Sequence, residues 1–100
     1  MNRFRLSPRA ETDLAEIHRY IAQDNPPAAD RFVGELFDLF HLLGRSPEIG
    51  QARPELRPNL RSMFHGNYVV VFYPVKNGTE NAAVVHGARD IDALFRNVQT

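Results

Sequence analysis

The first half of the chain carries apolar residues at helical spacing. An apolar stripe with gaps of four, three and four residues predicts a first amphipathic helix over 8–24. A wider apolar face, from Ala29 to Leu43, predicts a second helix that is covered on two sides. Ser7-Pro8 and Asn25-Pro26 each place a capping side chain before a proline, which is typical of a helix start. Gly44 is expected to end the second helix in a left-handed conformation.

From residue 60 onward the pattern changes to that of β-strands. The predicted strands cover residues 4–6, 60–65, 68–73 and 80–88. Asn77-Gly78 is a strong hairpin signal, and residues 90–95 predict a last helical turn. The order β-α-α-β-β-β predicts an α+β fold, in which an N-terminal helical hairpin packs on one face of an antiparallel sheet. The pattern leaves the neighbour of the first strand in the sheet open.

Length and composition narrow the class of protein. A chain of 100 residues is expected to form one domain, 1–100. It has no cysteine, which excludes disulfides, cysteine nucleophiles and thiolate metal sites. No apolar run approaches the ~20 residues that span a bilayer. The first residues lack the apolar core of a signal peptide, so a cytoplasmic location is expected. Residues 45–59 form a long loop, which in a small domain is often functional.

Charge is balanced overall but divided between the predicted elements. The chain has 12 basic and 12 acidic residues, and Lys76 is its one lysine among eleven arginines. Residues 8–44 carry three arginines and seven acids, a net charge of −4, and the rest of the chain is therefore +4. Bulk charge does not favour nucleic-acid binding, whereas an arginine-rich face opposite an acidic one suits a complementary partner. The alternative is that solvated helices simply carry acids on their outer face.

Candidate chemistry is sparse. Side chains alternate along a strand, which places Glu80, Val84 and His86 on one face of the last strand. Arg61 lies on the first meander strand, and its side chain could meet that of His86 across the sheet, although no pattern requires it. A histidine in this position is more often a structural residue that is hydrogen-bonded at the end of a strand. The four histidines show no metal-ligand spacing, and no phosphate-binding glycine loop is present, so we predict no metal and no cofactor.

Short sequence motifs follow one another along almost the whole chain. They are Ser7-Pro8-x-Ala10-x-x-Asp13-Leu14, Asn25-Pro26-x-Ala28-Ala29, Arg53-Pro54-Glu55-Leu56, Leu60-Arg61-Ser62, Gly66-Asn67-Tyr68, Val71-Phe72-Tyr73 and Val85-His86-Gly87-Ala88-Arg89-Asp90. Each motif is weak alone, but together and in this order they resemble the ParE branch of the RelE/ParE toxin superfamily.

The resemblance implies a toxin of a bacterial type II toxin–antitoxin module with the β-α-α-β-β-β fold. RelE-type members cut messenger RNA on the ribosome, and ParE-type members inhibit DNA gyrase. Both are neutralised by a small antitoxin that also binds the operon's DNA. RelE-type nucleases carry an arginine early in the central strand, where this chain has the wholly apolar run 69–72. The departure, together with the ParE-like ending, favours a toxin that acts by binding rather than by catalysis.

The resemblance and the charge division lead to specific expectations. A ParD-like antitoxin is expected as partner in a hetero-oligomer, with operator DNA reached only through that antitoxin, and no membrane or small-molecule substrate is expected. The residues expected to bind the antitoxin are Arg53, Arg57 and Arg61. The residues expected to bind gyrase are Arg89, Leu94, Phe95 and Arg96. Leu94 and Phe95 could instead pack back onto the sheet.

Two alternatives stay open. One is an endonuclease that uses Arg61, His86 and Arg89, which would supply a base, an acid and a phosphate-binding cation. The other is a degenerate toxin that is retained only as a binding partner.

Overall fold

The computed structural model describes residues 3–87 and Ala93. Two helices are followed by a short 3₁₀ turn and four of the five strands. The elements are β1 (Arg3–Leu6), α1 (Pro8–Ala22), α2 (Pro26–Arg45), the 3₁₀ turn (Pro47–Ile49), β2 (Gln51–Ala52), β3 (Arg61–His65), β4 (Tyr68–Val75) and β5 (Gly78–His86). Apart from Ala93, the predicted last helical turn lies outside the described residues, and so do the predicted gyrase-binding residues.

The helix starts follow the predicted capping signals. The Ser7 side chain accepts a hydrogen bond from the Ala10 backbone N–H, and the Asn25 side chain accepts one from that of Ala28. The predicted end of α2 is wrong, because Gly44 lies inside the helix and is buried. A Cβ at Gly44 would lie 3.1 Å from the carbonyl oxygen of Arg3. Glycine is therefore needed there because α2 passes close to β1.

The sheet is mixed rather than antiparallel. Its strand order is β1-β5-β4-β3-β2, and β1 runs parallel to β5. The expectation of an antiparallel sheet is thus correct for the meander and wrong for β1. A Cβ at Gly78 would lie 1.7 Å from the Arg3 carbonyl oxygen, so the close approach of β1 to β5 depends on that glycine. The short strand β2 lies inside the segment 45–59 that was predicted to be a loop, and it pairs with β3.

A bulge shifts the register between β4 and β5. Val71 pairs with Ala83 and Phe72 with Asn81, so β5 carries one extra residue at this point. Beyond the bulge Glu80 pairs with Tyr73, which packs on the face away from the helices. Strict alternation had placed Glu80 on the same face as Val84. This prediction is wrong, because Glu80 lies on the face away from the helices.

Apolar side chains fill both faces of the sheet. The helical hairpin packs on one face, as predicted, and its core joins helix residues such as Leu36 and Phe40 to Val70, Phe72 and Val84. The opposite face holds a second buried cluster, formed by Leu60, Val69, Val71, Ala83 and Val85. Within the described part of the chain no helix is long and apolar enough to cross a membrane.

Candidate functional site

A cavity of about 440 Å³ lies between α1 and the end of β5. We call it the α1–β5 cavity. The side chains that give it polar character are Arg9, Asp13, Glu16, Tyr20, Tyr68 and His86. The first four of these side chains lie along α1, and the last two lie where β4 begins and β5 ends. The cavity therefore forms where the helical hairpin packs on the sheet.

Asp13 is the most buried charged group of this cavity, with 7% of the residue exposed. Its Oδ2 accepts a hydrogen bond from the Val84 backbone N–H at 2.9 Å, and its Oδ1 accepts one from Arg9 Nε at 2.8 Å. Asp13 therefore links α1 to β5. Because both carboxylate oxygens take part in these hydrogen bonds, the burial of Asp13 is explained without a catalytic role.

Tyr68 and His86 are directly opposed on β4 and β5. Their ring centroids are 5.1 Å apart at an interplanar angle of 88°, an edge-to-face contact. Burial raises the pKa of the Tyr68 phenol above its usual 10.0, and the nearby Tyr20 adds to the rise. The raised pKa means that the phenol stays protonated at neutral pH and is not available as a base.

The structure does not bring Arg61 and His86 together. Arg61 pairs with Phe72 and His86 pairs with Tyr68, on opposite sides of β4. Four residues along a strand correspond to about 13 Å, to which the width of the intervening strand is added. The third residue of the nuclease hypothesis, Arg89, lies outside the described residues.

Arg61 instead holds the 3₁₀ turn against β3. Its Nε donates to the Pro47 carbonyl at 3.0 Å, and its terminal NH2 donates to the carbonyls of Glu48, at 3.1 Å, and Gly50. The Pro47 carbonyl also accepts a hydrogen bond from the Gly50 backbone N–H, so the guanidinium adds to the contacts that close the turn. Arg61 therefore has a clear structural function beside any role in recognition.

The two remaining arginines of the predicted antitoxin-binding set lie in the loop before β3. Arg53 donates from Nε to Glu55 Oε2 at 2.7 Å and from NH1 to Ser62 Oγ at 3.4 Å. The hydrogen bond from Arg53 lowers the pKa of the Glu55 carboxyl. Arg57 donates to the Leu56 carbonyl at 2.9 Å. These contacts order the loop, so the arginines are presented from a defined backbone.

The sequence patterns missed a cation cluster at the opposite edge of the sheet. Arg3 and Arg5 on β1 and Lys76 in the β4–β5 turn line a second cavity of about 690 Å³. We call these three residues the β1-edge cluster. Arg3 and Lys76 are far apart in sequence, and they meet because β1 inserts beside β5. The alternation of arginine with Phe4 and Leu6 was the available signal, but it identifies a face only once the neighbouring strand is known.

Metal chemistry has no support among residues 3–87. No group of three or more histidine and acidic side chains there is arranged to hold a metal ion. His18 bonds Asp30 and His65 bonds Glu35, at 2.8 and 2.9 Å, so each of these histidines is used in a pair that joins two elements.

The architecture is similar to that of a chain in a solved structure. A solved structure described as "Chromosomal ParDE TA system from P. aeruginosa" contains a chain that superposes with a TM-score of 0.72. The two chains are 18% identical, and the match covers 87% of this chain and 97% of the other. The chain is therefore similar in fold to that chain of a ParDE system.

The sequence itself assigns the family. Residues 4–91 match the model of the family described as "ParE toxin of type II toxin-antitoxin system, parDE". The chain belongs to the ParE toxin family, which confirms the resemblance that the motifs indicated. No curated protein matches the chain.

Proposed function

We propose that this ParE-family protein inhibits DNA gyrase by binding to it, and that a ParD-like antitoxin neutralises it. The observation that carries the proposal is the family match over residues 4–91. The similarity to a chain from a ParDE system supports the antitoxin as partner. A domain of this kind acts through its surface, so the proposal concerns which parts of the surface meet each partner.

The positions of Arg61 and His86 favour binding over RNA cleavage. A metal-free ribonuclease needs its base, its acid and its phosphate-binding cation within hydrogen-bond reach of one substrate. Arg61 and His86 pair with residues four positions apart on β4, and the Arg61 guanidinium donates to three carbonyls. An mRNA endonuclease built on these two residues would need both to move.

The antitoxin is proposed to meet the loop that carries Arg53 and Arg57, together with Arg61 at the start of β3. In this proposal Arg53 and Arg57 pair with acidic side chains of the antitoxin, and Arg61 contributes by holding the 3₁₀ turn next to the loop. Ile49 in that turn and Phe64 on β3 are 43% and 53% exposed and supply apolar contact area nearby. An interface with exposed apolar side chains and arginines has the usual composition of a recognition surface.

The gyrase contact is proposed for the C-terminal segment, at Arg89, Leu94, Phe95 and Arg96. Arginine and aromatic side chains are the commonest energetic centres of protein interfaces. A chain with Leu94→Ala and Phe95→Ala is expected to lose gyrase inhibition while it keeps antitoxin binding.

The experiment is a gyrase supercoiling assay on relaxed plasmid with the purified chain. We expect inhibition that the antitoxin relieves, and the double C-terminal variant is expected to be inactive. Leu42→Ala, which changes an exposed apolar side chain on α2, is the matched control and is expected to inhibit like the wild type. Intact supercoiling together with ribosome-dependent mRNA cleavage would contradict the proposal and favour the endonuclease alternative.

A further inference from the structure

Strand β1 forms one edge of the sheet and is paired only with β5 among the described strands. Arg3 and Ser7 donate their backbone N–H groups at 2.8 and 3.0 Å to carbonyls in the turn before β5 and in β5 itself. Backbone groups alternate in direction along a strand, so the N–H and C=O groups of Phe4 and Leu6 point the other way. They face the side of β1 where no described strand lies.

The two faces of this open edge differ in character. The side chains of Phe4 and Leu6 pack toward the helical core, so those of Arg3 and Arg5 point to the opposite face. On the helix side, the ring centroid of Phe37 lies 6.1 Å from that of Phe4, and Phe37 is 37% exposed. The edge therefore has an aromatic face toward α2 and a cationic face away from it.

Charge alone does not identify what binds here, because exposed arginines attract phosphates and carboxylates alike. The backbone edge is more selective. The carbonyl oxygens of Phe4 and Leu6 require hydrogen-bond donors, which phosphate oxygens do not supply, and the N–H groups of the same residues require acceptors. A peptide backbone supplies both, at the repeat of about 3.3 Å per residue that a strand has. The edge therefore suits an extended peptide.

We propose that β1 binds an extended segment of a partner protein as an additional antiparallel strand, in which acidic and apolar side chains alternate. The antiparallel direction is the more stable one per residue. Residues that lie opposite each other in such a pair have side chains on the same face. The apolar residues of the segment thus lie opposite Phe4 and Leu6 and exchange backbone hydrogen bonds with them, whereas the acidic residues lie opposite Arg3 and Arg5.

The cationic face supports this occupant over a second copy of the chain. Antiparallel pairing of two β1 strands would place arginines opposite arginines, which is destabilising. Arg5 lies 3.6 Å from Glu80, but the two side chains are 69% and 43% exposed, so the guanidinium stays accessible to an acidic residue of the segment. A segment with alternating acids therefore matches the edge, and a second β1 does not.

This contact goes beyond the proposed function, because it adds a protein-binding edge on the far side of the sheet from β2 and β3. The arginines proposed to meet the antitoxin, Arg53 and Arg57, lie in the loop between those two strands. The proposal depends on neither gyrase inhibition nor antitoxin binding, and its test uses neither partner.

The test is fluorescence anisotropy of the full chain with a short labelled peptide of alternating valine and glutamate, which is acetylated and amidated at its ends. We expect saturable binding. Methylation of the valine amides removes the N–H groups that bond the carbonyls of Phe4 and Leu6, and it is expected to weaken binding by about tenfold or more. The glutamate amides point away from β1, so their methylation is the matched control and is expected to weaken binding less than about threefold.

Variants of the protein test the cationic face. Arg3→Gln/Arg5→Gln is expected to weaken peptide binding by about fivefold or more, because two charged partners of the glutamates are lost. Arg31→Gln removes an exposed arginine from α2 and is expected to bind like the wild type. Circular dichroism checks that each variant is folded. A peptide with lysine in place of glutamate is expected not to bind.

Four results would each overturn the proposal. The first is a wild-type chain that shows no saturable binding of the valine–glutamate peptide. The second is an equal effect of methylating the valine and the glutamate amides, which would show that no backbone pairing occurs. The third is equal binding of the lysine peptide. The fourth is displacement of the peptide by inorganic phosphate at matched ionic strength, which would show that the edge recognises charge alone.

Discussion

Replacing Arg61 tests whether this residue holds the segment before β2. In Arg61→Gln the side chain is too short to reach the carbonyls of Pro47, Glu48 and Gly50, which it contacts together in the wild type. A hydrogen bond from a charged donor contributes about 1.5–3 kcal/mol. Because the site is partly exposed, water replaces part of each bond, and we expect a total loss of about 2–4 kcal/mol.

The assay is urea unfolding followed by circular dichroism, with thermal melting as a second measure. At about 5 °C per kcal/mol for a domain of this size, the expected fall in Tm is about 10–20 °C. Arg61→Lys keeps the charge but lacks the fork of donors, so it is expected to recover less than half of the loss. Arg31→Gln is the matched control and is expected to change stability by less than about 0.5 kcal/mol. If Arg61→Gln melts within about 2 °C of the wild type, the structural role assigned to Arg61 is wrong.

Three further changes test other parts of the structure. Gly78→Ala places a Cβ 1.7 Å from the Arg3 carbonyl oxygen and is expected to lower the free energy of unfolding in urea by about 3 kcal/mol. Gly34→Ala is the control, because its Cβ meets nothing within 4 Å, and it is expected to stabilise α2 by about 0.5–1 kcal/mol. Equal effects of the two substitutions would refute the close packing of β1 on β5. Tyr68 has a raised pKa because it is buried, so its contribution to stability is present below pH 10 and is lost as the pH rises further; Tyr68→Phe is expected to reduce this alkaline loss in pH-dependent unfolding, and Tyr73→Phe serves as the comparison. Glu55 holds Arg53, so Glu55→Gln is expected to tighten antitoxin binding by about two- to fivefold in calorimetry, and to have no effect when Arg53→Gln is already present; tightening that survives Arg53→Gln would show that Arg53 does not pair with the antitoxin.

The helices and the meander were predictable because their signals are local. Ser7-Pro8 and Asn25-Pro26 are capping signals within a few residues of each helix start, and both caps form as predicted. The Asn77-Gly78 turn likewise joins β4 to β5, with Asn77 in a left-handed conformation at φ 66°. Such features need no knowledge of distant parts of the chain.

The position of β1 was not predictable, because it depends on contacts between residues that are far apart in sequence. Gly78 and Gly44 read as turn and helix-end signals, whereas their lack of a side chain makes room for the β1 backbone at Arg3. The bulge near Val71 similarly moves Glu80 to the other face, which simple alternation along a strand cannot anticipate. Errors of register and of strand neighbour therefore have the same origin.

The candidate site was predictable only in part. The division of charge led to Arg53, Arg57 and Arg61 as predicted contacts, but the carbonyls that Arg61 contacts become visible only when the 3₁₀ turn folds against β3. The β1-edge cluster was missed because its members come from the two ends of the chain. The tie between Asp13 and the Val84 backbone likewise joins a helix to a strand some seventy residues away.

The central claim, that the protein acts on gyrase by binding, is tested most directly by titrating the purified chain against a fixed concentration of gyrase. A binding inhibitor is expected to abolish supercoiling at a fixed ratio of toxin to gyrase, to do so independently of incubation time, and to release gyrase when antitoxin is added. Supercoiling that stays intact at a large excess of toxin, while trace amounts of the same preparation degrade ribosome-bound mRNA with multiple turnovers, would contradict it.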